Sequence, residues 1–176
     1  MENLEETFRK HSFHDFKWID PAQITVSQWV RMKCMFGCNE YGKNASCPPN
    51  VPSVSDCEGF FREYRHAVIF HLEKQVGSQE ELKHWVRSVH TNLLKLEKEV
   101  FLFGYEKAFI LLIDSCCLCS ECSPKRELCK NPKQSRPTVE ALGVDVYKTA
   151  RSAGYHIQVK SDPSQTMDRF ALLMVE

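Results

Sequence analysis

The sequence predicts an α+β fold: one small mixed or antiparallel sheet with helices packed on one face, and two cysteine-rich loops beside it. Three observations predict it. Apolar runs at Ala67–Phe70, Ala108–Ile113 and Phe170–Val175 read as buried strands. One long amphipathic pattern, Leu82 to Phe103, separates the first two runs. No internal repeat or low-complexity linker interrupts the 176 residues, so residues 1–176 are read as a single cysteine-rich domain, long enough to bury a core.

The elements follow in order. Residues 1–13 carry mixed charge, with Phe8 and Phe13 loosely spaced, and read as a short helix or a frayed end. Phe16–Ile19 looks extended and stops at Asp20-Pro21. Trp29-Val30-Arg31-Met32-Lys33 alternates apolar and basic residues and predicts a strand running into Cys34. Asn39 to Cys57, rich in Gly, Pro, Ser and Asn, predicts a long loop, a length that usually has a functional reason. Ser78-Gln79-Glu80-Glu81 is a capping box, in which the serine hydroxyl and the Glu81 carboxylate serve amides at a helix start. Leu82, Trp85, Val86, Val89, Leu93, Leu96, Val100 and Phe103 recur at helical spacing until Gly104 stops them. Arg136–Leu142 predicts a short helix closed by Gly143, and Asp145 caps another that runs to Gly154. His156–Val159 and Phe170–Val175 predict two closing strands. A split βαβ arrangement fits this order, which leaves the strand sequence across the sheet open.

Composition narrows the function. Formal net charge is zero and no long run of like charge occurs, which argues against a nucleic-acid partner. The acidic start Met1-Glu2-Asn3-Leu4-Glu5-Glu6 lacks the apolar core of an export signal. No apolar stretch approaches the ~20 residues of a membrane span. Nine cysteines, an odd number with no export signal, predict a reducing cytoplasm and thiolates used as ligands rather than disulfides.

Seven of those cysteines form two clusters. The first is Cys34-x-x-x-Cys38-x8-Cys47, followed by Pro48-Pro49; the second is Cys116-x-x-Cys119-x-x-Cys122, with Cys129 seven residues on. Crowded thiolates repel and exposed thiols oxidise, and a metal removes both problems, so these are read as metal loops. Soft ligands select zinc, copper(I) or iron–sulfur clusters. Structural zinc takes two C-x-x-C knuckles, whereas three cysteines at two-residue gaps match the loops that hold a [4Fe–4S] cube. The prediction is one or two [4Fe–4S] clusters, with zinc as the alternative. Cys129 is the nearest fourth ligand, although in two-cluster ferredoxins the remote cysteine serves the other cluster. Seven thiolates fall one short of two filled cubes, so one iron would be open, and the Cys34/Cys38/Cys47 site is the candidate for it. Cys57, beside Phe60-Phe61, reads as a packed apolar residue, and Cys117 as the neighbour left out of the pattern. Tyr41 and Lys43 could reach a bound substrate, and Arg136 could balance thiolate charge; each reads equally as an ordinary loop residue. The seven histidines form no H-x-x-x-H or H-E-x-x-H and read as surface or core residues.

Cys34-x-x-Gly37-Cys38-x-x-Tyr41-Gly42-Lys43-x-x-x-Cys47-Pro48-Pro49 resembles the N-terminal signature of a prokaryotic family of cysteine-rich, predicted metal-binding proteins. The resemblance continues through Cys116-x-x-Cys119-x-x-Cys122-x6-Cys129 and Arg136–Asp145 and covers the chain from about Trp18. The family pattern has one cysteine where Cys116-Cys117 stand. The resemblance implies that Cys34, Cys38, Cys47, Cys116, Cys119, Cys122 and Cys129 are the ligands, and it implies no particular reaction. Three functions compete: a cluster that activates a small-molecule substrate, an electron carrier for a redox partner protein, and a structural-zinc binding module. No catalytic residue is identified from the sequence.

Overall fold

The computed structural model describes residues 2–75, 77–159 and 166–176. In chain order the elements are α1 (Glu2–Lys10), β1 (Phe16–Ile19), α2 (Gln28–Gly37), α3 (Val54–Arg62), β2 (Ala67–Lys74), α4 (Gln79–Leu102), β3 (Phe109–Leu111), α5 (Val146–Ser152) and β4 (Met167–Met174). Short 3-10 turns occupy Pro21–Gln23, Arg126–Leu128 and Glu140–Leu142.

The four strands make an antiparallel sheet in the order β1-β2-β4-β3. Because β2 and β3 each run antiparallel to β4, they are parallel to each other with β4 between them, and α4 connects them. This is the split βαβ arrangement.

Both faces of the sheet are buried. Val68, Phe70, Ala171 and Leu173 point to a core closed by Leu4 and Phe8 of α1 and by Val86, Val89, Leu93, Leu96 and Val100 of α4. Ala67, Ile69, Leu172 and Met174 point to a second core, closed by Cys57 and Phe61 of α3, Ala150 of α5, and Val139, Leu142 and Val144. The expectation of helices on one face is therefore corrected. Strands that are apolar on successive residues need cover on both sides, and the short helices supply the second cover.

The ends of α4 follow local chemistry. The Ser78 hydroxyl accepts from Glu81 N at 3.2 Å, while the Glu81 carboxylate accepts from Gly77 N rather than from the cap itself. Gly104 ends the helix at φ +98°, in the left-handed region that suits glycine. Two polar side chains hide in the apolar stripe. Glu97 accepts from Ile110 N at 2.9 Å and from Arg136 Nε at 2.8 Å, fastening α4 to β3. His90, fully buried, bonds Ile113 O.

Four other expectations change. Trp29–Lys33 is part of α2, not a strand; five alternating residues cannot separate a period of 2 from one of 3.6, and only Val30 of this helix is buried. His156–Val159 forms no strand, because Ile157 O accepts from the Arg151 guanidinium at 3.3 and 3.1 Å instead of from a neighbouring strand. Arg136–Leu142 is helical only over Glu140–Leu142, since Thr138 bridges to Leu112 and extends the sheet edge. The loop predicted to reach Cys57 ends at Ser53, whose hydroxyl and the Asp56 carboxylate form a capping box for α3. Among the described residues, no helix is long and apolar enough to cross a membrane.

Candidate metal centre

Both cysteine loops leave regular elements at one side of the sheet. Cys34 sits in the last turn of α2, and Cys38 caps that helix, its N–H bonding Cys34 O at 3.3 Å. Four residues apart at a helix end, the two side chains share a face. Arg31, one turn earlier, is held by Pro52 O and Ala141 O. The chain then folds back through Gly42 (φ +73°), whose N–H bonds Pro48 O at 3.0 Å, and this packs Asn44–Pro48 into the protein with Cys47 buried.

The second loop starts where β3 gives out. Asp114 adopts φ +45° and turns the chain off the sheet, and its carboxylate is gripped by Arg169 Nε at 3.2 and 3.1 Å. Cys116, Cys119 and Cys122 follow on irregular backbone, and Cys129 caps the 3-10 turn Arg126–Leu128.

Polar side chains from each loop bind the other. Asn44 Nδ2 donates to Cys116 O at 3.1 Å, while its Oδ1 accepts from Ser46 N and Ser46 Oγ. Asn50 Nδ2 donates to Pro124 O at 2.8 Å and to Asn44 O at 3.2 Å. Ala45 N–H donates to Cys122 Sγ at 3.4 Å, and Asn131 Nδ2 to Cys119 Sγ at 3.0 Å. Cys47 Sγ and Cys129 Sγ bond the hydroxyls of Ser115 and Ser135, and Arg126 donates to that same Ser135 hydroxyl.

The seven thiols thus form two adjoining groups. Burial pushes the Cys34 thiol pKa up, and the neighbouring Cys38 adds to it. Burial likewise raises Cys116, with Cys122 and Cys129 adding to it. Cys47 stands between the groups: burial carries its pKa up to about 11, and Cys38, Cys34 and Cys116 all contribute. Such thiols are protonated at neutral pH, so a metal taking them as thiolates must displace protons.

A cavity of about 840 Å³ is walled by Cys116, Cys119 and Cys122 together with Asn44 of the first loop and Arg87 of α4. A larger groove, about 1130 Å³, runs past Cys34 and Cys38 between Trp29, Met32 and Phe36 of α2 and Asp114, Arg169 and Phe170. Glu40 borders both. Tyr41 and Lys43 line neither cavity. Arg136 is engaged by Glu97, and the cation linked to Cys129 through Ser135 is Arg126. Cys57 packs in the second core with its sulfur toward Pro52 O. Cys117 turns toward α4, its sulfur 3.4 Å from His90 Nδ1 and its carbonyl held by Arg87.

Asn44, Asn50, Asn131 and Ser135 are the site residues that the sequence reading missed. Asn131 stands two residues past Cys129, and Asn44 and Asn50 stand three residues before and after Cys47.

Residues 17–175 match a family described as predicted metal-binding protein (DUF2284). No curated protein and no solved structure matches the chain.

Proposed function

The chain belongs to this family of predicted metal-binding proteins, and from that premise we propose that it is a cytoplasmic iron–sulfur protein that uses its cluster to activate a small-molecule substrate. One observation carries the iron–sulfur reading: Cys116, Cys119 and Cys122 wall a single cavity, and amide N–H groups from Ala45 and Asn131 point at two of their sulfurs. Hydrogen bonds to sulfur are among the means by which proteins tune such clusters. Zinc fits less well. Structural zinc takes two ligands from each of two C-x-x-C knuckles, whereas Cys116, Cys119 and Cys122 stand together on one loop.

Cys116, Cys119, Cys122 and Cys129 would hold a [4Fe–4S] cluster, and Cys34, Cys38 and Cys47 a second metal group with one ligand position left over. When bound, such groups supply one-electron transfer and, at an iron without a cysteine, a Lewis-acid position for substrate. The groove beside Cys34 and Cys38 favours the substrate reading over a plain electron carrier for a partner protein. Its apolar wall of Trp29, Met32 and Phe36 would bind the body of a small molecule and exclude water. The Asp114–Arg169 pair opposite would orient polar groups.

Anaerobic purification with visible absorption and iron, sulfide and zinc analysis tests the cluster: brown protein with acid-labile sulfide is expected. Stoichiometric zinc without sulfide, from iron-replete cells, would reject it. Electron-spin resonance of the reduced protein then tests the open position. Spectra that change with added cyanide or small thiols support it, and spectra that ignore them, with metal content unaffected by Cys34→Ala, leave a closed cluster and a carrier role.

A further inference from the structure

We infer that His71, Glu73 and Asp168 form a separate binding site for a divalent first-row cation of the zinc–manganese class, built without cysteine. Alternation places His71 and Glu73 on one face of β2, and the register of β4 sets Asp168 opposite Glu73 and Phe170 opposite His71. One ligand atom from each of the three lies within 4.8 Å of the others. His71 Nε2 is 3.0 Å from Asp168 Oδ1 and 4.0 Å from Glu73 Oε1. Bonds of 2.0–2.2 Å to a shared ion at angles near 90–109° require separations of roughly 3.0–3.5 Å, so small side-chain shifts close the set.

The ring behind this face is already oriented as a ligand. His71 Nδ1 lies 2.7 Å from Asp15 Oδ2, and Asp15 Oδ1 accepts from Tyr155 Oη at 3.0 Å. Nδ1–H donates to Asp15 and Nε2–H to Asp168 Oδ1 at 3.0 Å, so a cation would take the place of the Nε2 proton between the ring and the two carboxylates, in the carboxylate–histidine–metal arrangement. Phe170 stacks on the ring at 4.8 Å and 19° and holds its plane. The charges point the same way. His71 faces the three carboxylates Asp15, Glu73 and Asp168, and two carboxylates directly opposed across strands repel. The side chains of His71 and Asp168 are only 12% and 11% exposed, whereas Glu73 is 63% exposed and leaves an entry. This site rests on none of the cysteine assignments.

The test is titration of the full-length protein, its cysteine centre as isolated, with Mn²⁺, which prefers oxygen and nitrogen to thiolate ligands. Uptake is read as loss of the spin-resonance signal of free Mn²⁺. We expect saturable uptake at sub-millimolar Mn²⁺ that is abolished by His71→Gln and unchanged by Cys119→Ser. Asp15→Asn, which changes the Nδ1 partner of His71 and keeps an acceptor for Tyr155 Oη, should weaken it roughly 10–100-fold, and Glu73→Gln, exposed and safe for folding, by a factor within that range. Absence of uptake by the native protein, or equal affinity in Glu73→Gln, overturns the site and leaves His71 as a ring hydrogen-bonded between Asp15 and Asp168.

Discussion

Replacing Asn44 by alanine tests whether the two cysteine loops are one structural unit. Asn44 is 3% exposed, and its side chain makes three hydrogen bonds, one to Cys116 O and two from Ser46. Alanine leaves the Ser46 N–H, the Ser46 hydroxyl and the Cys116 carbonyl without that partner. An orphaned buried polar group costs about 1–3 kcal/mol; the hydroxyl can rotate to another acceptor, so two groups remain and the loss is about 2–6 kcal/mol. With a urea dependence of about 2 kcal/mol per molar, the unfolding midpoint should drop by roughly 1–3 M. Asn50→Ala removes two bonds at a half-exposed position where water can replace them, and should drop it by less than half as much. Metal content should fall in Asn44→Ala, because the wall it contributes to the Cys116/Cys119/Cys122 cavity is released. Anaerobic urea unfolding followed by circular dichroism, with metal analysis of the same samples, measures both. An Asn44→Ala midpoint equal to that of Asn50→Ala, with full metal retention, refutes the docking argument.

Cys119→Ser should lose metal and destabilise the second loop, whereas Cys57→Ser, altered in the second core, should keep full metal content; equal loss in elemental analysis overturns the ligand assignment. Glu97→Ala leaves the Ile110 N–H without its acceptor, while Arg136 keeps Lys133 O and Ser135 O, and should cost about 1–3 kcal/mol, read by chemical unfolding; an unchanged unfolding midpoint would show that water replaces the lost carboxylate. Burial lowers the His90 pKa below its usual 6.5, against the opposing pull of its bond to Ile113 O and of Asp114. Below pH 6.5 the unfolded chain therefore binds the proton that the folded chain refuses. Stability should fall as pH drops from there toward the folded pKa and be unaffected by this group above it. His90→Gln should flatten that acid limb, and an unchanged limb would assign it to other groups.

How far the sequence could be read depends on the range of the forces involved. The ends of α4 were legible because Ser78, Glu81 and Gly104 act on backbone within a turn of themselves. The strands β2 and β4 were legible because uninterrupted apolar residues need two covered faces. The same runs carry the second layer of helices as well, since residues on both faces of these strands are buried. The ambiguity at Trp29–Lys33 has a different source: α2 buries little, so its pattern carries little periodic signal. Within the site, cysteine spacing was visible because ligands of one loop are neighbours in sequence. Asn44 and Cys116 are 72 residues apart, and His71 and Asp168 are 97. Nothing local marks such pairs; they exist only once the strand order is set.

The position of β4 has a consequence for biosynthesis. All seven candidate ligands, from Cys34 to Cys129, are translated before Met167–Met174. Yet β4 is the strand that joins β2 to β3, and Arg169 on it clamps the turn from which the second loop departs. A nascent chain therefore displays its thiols while the sheet that positions them is still divided, with β2 and β3 having no strand between them. Metal delivered at that stage would meet flexible loops, and metal delivered after release would meet a set geometry.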